Sequence, residues 1–260
     1  MDVSKLEPAE RDPKKLRATA FKIVLFMIVS GFLLNYAYLQ YRERTHDSAR
    51  PSLLTKITEP EVELLTADGQ QRNLQELKGH VTLALTLSMR PQEQSLPSLA
   101  ALKEVMAAFQ DAAQKPRILI FVLDGSNTEP EKMSALLSEY GAEPEVLRVV
   151  ANEEGKSSLR SFLKAKMRFN ITPREKGEGF EYDSRIVLLD QHLHVRGWPG
   201  FSRGWDFEKV NRYEKERAKA LETHSADEVR PLPMSTPLLR TMLIDSIRYL
   251  YANPDEKGQK

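Results

Sequence analysis

Residues 79–106 constrain the fold of this chain more than any other stretch. Their first part alternates between apolar and smaller or polar residues, which is the period of a β-strand. The apolar positions are Val81, Leu83, Leu85 and Leu87. A loop with two prolines follows, and an apolar stripe at helical spacing begins at Leu99. Because the loop lies at the carboxyl end of a strand, where sites in open α/β sheets usually lie, we expect the functional site there.

The rest of residues 59–223 alternates strands with helices. A hairpin is expected at 61–74, where an Asp-Gly pair supplies the turn chemistry. Further strands are predicted at 117–124, 146–150, 185–190 and 193–196, helices at 129–140, 156–167 and 205–222, and a loop at 170–181. This order predicts an α/β domain with a central mixed sheet flanked by helices.

The N-terminal part of the chain predicts a membrane anchor. A polar tail (1–22) precedes an apolar run (23–41), close to the lower length limit for spanning a bilayer. A buried helix and a cleavable signal peptide are the alternatives. We favour an uncleaved anchor because no Ala-x-Ala site follows the run and the segment before it is long. Basic residues are more numerous before the run than after it, which predicts a cytoplasmic N-terminus and a periplasmic or otherwise exported domain.

Two polar linkers are expected to flank the domain, at 42–58 and from residue 224 to 233. Ser235-Thr236-Pro237 then begins a C-terminal amphipathic helix within 224–260. Two interpretations of that helix stay open: it docks on its own domain, or it contacts a partner or a membrane surface.

Composition excludes several classes of function. The chain contains no cysteine, which rules out disulfides, thiolate metal sites and thiol catalysis. Its 38 basic and 37 acidic residues nearly balance over 260 residues, which argues against a nucleic-acid-binding protein.

Residues 90–97 read RPQEQSLP, and two further motifs lie at residues 124–131 and 182–190. Together the three motifs resemble the Sco/SenC family. The first is similar to a loop of that family in which four residues separate two Cys-Pro pairs, and both prolines keep that spacing. Residues 124–131 read DGSNTEPE, similar to the family's Asp-Pro-x-x-Asp-Thr-Pro-Glu. Residues 182–190 read YDSRIVLLD, in which Tyr182 holds the place of the family's copper-binding histidine. The resemblance covers about residues 59–223 and implies a thioredoxin-like, membrane-anchored protein that acts in cytochrome oxidase assembly.

The same resemblance implies a degenerate copper site. Arg90 and Leu96 stand at the positions of the two cysteines. Cu(I) selects soft thiolate and thioether ligands, whereas a guanidinium has no acceptor and a phenol is a poor ligand for a soft cation. We therefore expect no family-type copper transfer, no cofactor and no enzymatic activity.

The remaining candidate sites carry weaker signals. His192 and His194 are two residues apart and would share one face of a strand, with Met89 as a further donor, so a metal site there is an alternative. Asp124 and Asp190 each end an apolar strand, where turn formation competes with acid–base chemistry.

Two loops are candidates for contact with a partner. Arg90, Gln92 and Gln94 are hypothesised to form a docking patch, and Trp198 and Phe201 form an aromatic pair in a second loop. The sequence therefore predicts a non-catalytic binding or assembly factor for a respiratory membrane complex. A metal-binding protein and a permanent accessory subunit are the alternatives.

Overall fold

The chain divides into two units, Met1–Asp47 and Ser48–Lys260. The computed structural model describes residues 13–45, 50–57, 63–65, 71–88, 95–123, 135, 138–139, 147–150, 156–177, 179–198, 204–225 and 228–255. In the first unit a single helix, α1, runs from Pro13 to Thr45. Its stretch Arg17–Tyr36 is long and apolar enough to cross a bilayer, and apolar side chains such as Phe26 and Phe32 are exposed along it. A signal sequence has the same character, so α1 is a candidate membrane anchor or signal.

The second unit contains the α/β domain. Its strands are β1 (Ser52–Lys56), β2 (Glu63–Leu65), β3 (Gln71–Asn73), β4 (Thr82–Leu87), β5 (Arg117–Val122), β6 (Leu147–Val150), β7 (Arg174–Lys176), β8 (Gly179–Glu181), β9 (Val187–Leu189) and β10 (His194–Gly197). Its helices are α2 (Leu96–Ala107), α3 (Lys156–Ala165), α4 (Phe207–Leu221) and α5 (Thr236–Ala252).

Six strands form the central mixed sheet in the order β1-β10-β9-β4-β5-β6. The strands β4, β5 and β6 are parallel, whereas β9 is antiparallel to β4 and β10 is antiparallel to β9. The succession β4-α2-β5 followed by β9-β10-α4, with β4 between β5 and β9, is a thioredoxin-like core. The predicted fold class is confirmed.

Strand β4 is buried on both faces of the sheet. Leu83, Leu85 and Leu87 belong to a cluster on the side of α2, α4 and α5, whereas Ala84 belongs to a second cluster on the side of α3. The apolar alternation of β4 therefore separates two cores rather than a core and a solvent face. This double burial places the carboxyl end of β4, and the start of α2, inside the domain.

The C-terminal helix packs on its own domain. Leu239, Leu243, Ile247 and Leu250 are buried in the cluster that also contains the first face of β4. Ser235 is the N-cap of this helix, and its side chain accepts from the Leu238 amide. The structure therefore agrees with the first of the two interpretations, in which the helix docks on its own domain.

Two segments differ from their predictions. The expected linker 42–58 contains the end of α1 and the edge strand β1, which pairs antiparallel with β10. The expected loop 170–181 contains the hairpin β7–β8. These strands are only three to five residues long and their pairing partners decide their structure, so local apolar periodicity did not reveal them. The helix predicted at 129–140 lies mostly outside the described residues.

Candidate functional site

A buried pair of hydroxyl groups lies at the position where the sequence predicts a degenerate copper site. Tyr182 and Ser95 have no exposed surface, and the Tyr182 hydroxyl lies 2.6 Å from Ser95 Oγ. Ser95 is the N-cap residue of α2, but its side chain makes no capping bond to the helix. The hydroxyl of Ser95 is therefore committed to Tyr182 instead of to the helix terminus. Leu96, the first residue of α2, is half-buried beside it.

The chain that follows Tyr182 is tied to β4 and α2 by two more buried hydroxyls. Thr86 Oγ1, on β4, donates to the Asp183 carbonyl. Ser98 Oγ, on α2, donates to the Ser184 carbonyl at 2.5 Å. Three side-chain hydrogen bonds thus join the end of β4 and the first turn of α2 to residues 182–184. Every donor and acceptor in these bonds is oxygen.

A buried arginine holds the next part of the same segment. Arg185 Nε lies 2.8 and 2.9 Å from the two carboxylate oxygens of Asp183, and its Nη2 lies 3.7 Å from Asp206. Asp183 also accepts from the backbone amides of Asn170 at 2.5 Å and of Arg185 at 3.2 Å. A methyl group at Gly204 would lie 3.0 Å from Arg185 Cδ, so glycine avoids a tight contact with this side chain. The segment behind Tyr182 is therefore positioned by a fully paired charge.

Asp190 organises a second polar cluster at the β9–β10 turn. Its Oδ2 accepts from Arg196 Nε at 2.8 Å and lies 2.6 Å from Arg196 Nη2, and both residues are buried. Its Oδ1 accepts from the backbone amides of His192 and His194 at 2.9 and 2.8 Å. All four contacts serve the turn and the ion pair, so the structure gives Asp190 a structural role.

The histidine pair lies in this turn and not along one strand. Leu193, between the two, has a φ of 62°, and β10 begins only at His194, so the predicted placement on one strand is wrong. The structure still brings the two rings together, with their centroids 5.7 Å apart. The imidazole of His192 is bonded through Nε2 to the Pro254 carbonyl at 2.8 Å, so this nitrogen carries the proton. His194 Nδ1 lies 3.3 Å from Asp190, and burial lowers the pKa of His194 below its usual value despite that carboxylate.

The β9–β10 turn also contacts the C-terminal helix. Gln191 donates from Nε2 to the Leu250 carbonyl at 2.9 Å, and His192 contacts the Pro254 carbonyl just beyond α5. The histidine pair therefore belongs to the attachment of α5. Among the described residues, no group of three or more His, Asp or Glu side chains could hold a metal ion.

Several predicted site residues lie outside the described residues. These are Met89, Arg90, Gln92, Gln94, Asp124 and Phe201. Trp198 is described; it is half-buried and packs against the cluster on the α2 side, as expected of a packing residue.

Reasoning from the sequence did not identify four residues of this site: Ser95, Asp183, Arg185 and Asp206. Ser95 and Asp183 adjoin two of the degenerate ligand positions, Leu96 and Tyr182, and that adjacency was the available signal. The roles of Arg185 and Asp206 depend on a contact across 21 positions of the chain, which no local pattern marks.

Comparison with solved structures finds Sco-type proteins among those that the chain is similar to. A Sco1/SenC family lipoprotein from Bacillus anthracis str. Ames matches at 18% identity and a TM-score of 0.48, over 65% of this chain and 97% of that chain. BsSco, a member of the Sco family of cytochrome c oxidase assembly proteins, matches at 18% identity and a TM-score of 0.47, over 56% and 84%. ScoI from Arabidopsis thaliana, solved with copper bound, matches at 11% identity and a TM-score of 0.47, over 72% and 96%.

The chain has a thioredoxin-like fold. The strand order of the central sheet establishes it. The matched structures are of Sco type. The thioredoxin-like fold that the three sequence motifs imply is confirmed by the strand order. No protein-family profile matches the chain, and no curated protein sequence does.

Proposed function

We propose that this chain is a membrane-anchored, non-enzymatic Sco-like protein that does not transfer copper through thiolates. It acts as a binding or assembly factor for a respiratory membrane complex of the cytochrome oxidase type. The proposal takes its partner class from the Sco-type proteins that the fold resembles, one of which is described as a cytochrome c oxidase assembly protein.

One observation carries the proposal: the buried Tyr182–Ser95 hydrogen bond of 2.6 Å. Tyr182 stands where the resembling family has its copper-binding histidine, and Ser95 directly precedes a position where that family has a cysteine. A chain without cysteine offers no thiolate to Cu(I), and the two oxygens at this place are joined to each other by a buried hydrogen bond. The fold is retained while the soft donor set is replaced by a hydrogen-bonded pair.

A metal titration tests the loss of copper transfer. The full chain is titrated anaerobically with Cu(I) and with Cu(II), and bound metal is measured after desalting. We expect no stoichiometric binding. A variant carrying Arg90→Cys, Leu96→Cys and Tyr182→His should bind one equivalent of Cu(I), whereas the matched variant with serine at positions 90 and 96 should not.

Two results would overturn the proposal. Stoichiometric binding by the unaltered chain that is lost in a His192→Ala, His194→Ala variant would favour the alternative metal-binding function. Failure of the cysteine variant to bind Cu(I), with its fold intact, would show that the Sco-like geometry is absent from this site.

The partner is sought by purification from membranes. Stable co-purification with oxidase subunits at constant ratio would favour a permanent accessory subunit over a transient assembly factor. The proposed docking patch of Arg90, Gln92 and Gln94 is tested by an Arg90→Ala variant; the loop of Trp198 and Phe201 is a second candidate. That variant should keep its thermal midpoint and bind the partner more weakly; undiminished binding would remove Arg90 from the patch.

The anchor is tested separately. Carbonate washing should leave the full-length protein in the membrane, and a reporter fused after Lys260 should behave as exported. Recovery of a shorter soluble form would show instead that the N-terminal segment is a cleaved signal.

A further inference from the structure

A basic segment interrupts the charge balance of the chain. Residues 156–177 contain seven basic residues and one acidic residue, although the whole chain has 38 basic and 37 acidic residues. The segment consists of α3, the loop after it, strand β7 and Gly177, the residue that follows β7. Positive charge is thus concentrated in one continuous stretch of the sequence, although the net charge of the whole chain is close to zero.

Most of the described basic side chains in this segment have no carboxylate partner among the described residues. Arg160 and Lys166 have no acidic partner in the part of the chain that the structure describes. Lys164 donates to the Asn170 carbonyl, and Arg168 Nε donates to Thr55 Oγ1 at 2.6 Å, so both contact neutral oxygens.

Farther along, one carboxylate serves two cations. Arg174 Nη2 and Lys176 Nζ lie 2.6 and 3.7 Å from Glu181. The Arg174 and Lys176 side chains are 68% and 70% exposed, so water still reaches both charges. The segment therefore keeps an excess of accessible positive charge.

The same segment is attached to the core through apolar side chains on the other side of α3. Leu159, Phe162 and Leu163 are buried in the second cluster, whereas Lys164 is exposed and Arg160 is half-exposed. Arg160 and Lys164 lie four residues apart on a helix that contains no acidic residue, and like charges at this spacing repel. Helix stability alone does not favour this arrangement, and an external anion would relieve the repulsion.

An exposed apolar residue lies within the basic segment. Ile171 is 38% exposed and stands between Arg168 and Arg174, and all three residues of β7 are exposed. Basic side chains around exposed apolar ones are typical of segments that lie on a membrane surface.

We propose that the basic segment docks on anionic lipid headgroups. The chain contains a candidate membrane-spanning helix, so membrane lipid would be present at high effective concentration. This proposal rests on the membrane anchor of the proposed function, not on its copper chemistry. Lysine and arginine side chains near an anionic bilayer each add to the attraction, and Ile171 enters the headgroup region. An acidic protein segment is the rival partner, but the candidate membrane-spanning helix supplies only lipid at high effective concentration.

The chain contains no cysteine, so one introduced cysteine can be labelled alone. Ile171→Cys carries an environment-sensitive fluorophore, and the full-length protein is incorporated into nanodiscs that contain phosphatidylglycerol or only phosphatidylcholine. The control label is at Leu221→Cys on α4, which has almost the same exposure, 36% against 38%. We expect a blue shift and protection from an aqueous quencher at position 171 only, in the anionic discs only, and reversal at high salt.

Charge-neutralising variants supply the second test. Arg160→Gln with Lys166→Gln removes two cations that have no acidic partner among the described residues, and should lower the ratio of docked to undocked protein about thirtyfold. Lys215→Gln with Lys219→Gln, the same charge change at exposed positions of α4, should leave it unchanged.

Three results would overturn the proposal. The first is that the fluorescence at position 171 shifts in neither kind of nanodisc, and the second is that it shifts equally in both. The third is that the two double variants change the ratio of docked to undocked protein equally. Protection at position 171 that requires an added acidic protein would assign the segment to the rival partner. Carbonate extraction reports on the anchor separately, so loss of the anchor and loss of docking are distinguishable.

Discussion

Replacing Tyr182 by phenylalanine tests the hydrogen bond on which the proposed function rests. The substitution keeps the buried ring and removes only the hydroxyl that lies 2.6 Å from Ser95 Oγ. The Ser95 hydroxyl would then be buried without this partner, which costs about 1–3 kcal/mol of the free energy of unfolding. For a domain of about 200 residues that corresponds to a fall of about 2–10 °C in the thermal midpoint.

The second arm of the test is Ser95→Ala. An N-cap serine normally contributes to helix stability through its side chain, but Ser95 makes no capping bond, so this contribution is absent. Its removal therefore reports on the contact with Tyr182. The double variant Tyr182→Phe, Ser95→Ala removes both polar groups together and should cost clearly less than the two single changes combined.

The assay is denaturant unfolding followed by tryptophan fluorescence, with the four proteins compared as a double-mutant cycle. We expect a coupling energy of about 1 kcal/mol or more between the two hydroxyls. The cycle cancels any other contact that either side chain makes. Additivity of the two single changes within about 0.5 kcal/mol would show that the hydrogen bond does not hold the site together, and would refute the reasoning.

Three further predictions concern the rest of the domain. Asp190→Asn leaves the buried Arg196 without its carboxylate and should lower the free energy of unfolding by about 3–5 kcal/mol in a urea titration. A loss below about 1 kcal/mol would mean that the ion pair behaves like a solvent-exposed one, which contradicts its burial. Burial lowers the pKa of His194 in the folded state, so the unfolded chain takes up that proton first. The stability contributed by neutral His194 is complete above about pH 6.5 and declines as the pH falls below that value. His194→Gln should therefore reduce the slope of the free energy of unfolding against pH in this range, and an unchanged slope would contradict the prediction. Leu243→Ala, in the buried face of α5, should cost about 2–5 kcal/mol, whereas Leu238→Ala, which is 50% exposed on the same helix, should cost about 0.5 kcal/mol or less; equal costs would mean that α5 does not pack on the domain.

Local patterns in the sequence determined the framework of this protein. The alternation at 81–87 and the helical stripe after it specify β4 and α2, because each residue's environment repeats with the period of its own element. The nearly continuous apolar run at 118–123 specifies β5, because a short strand buried on both faces is apolar at successive positions. The apolar run of α1 is equally local. The absence of cysteine excludes thiolate chemistry without any structure.

The tertiary structure decided everything that depends on distant residues. Strand β1 exists because β10 offers it a pairing edge, and α5 docks because the α2 side of the sheet offers an apolar face. The site is of the same kind: Ser95 and Tyr182 are 87 positions apart, and only the antiparallel entry of β9 beside β4 brings them together. Neither residue carries a local signal for that contact, because a serine before a helix predicts a cap and a tyrosine before a strand predicts packing. The chain's local periodicity therefore specified the elements, and the pairing of distant strands specified the site.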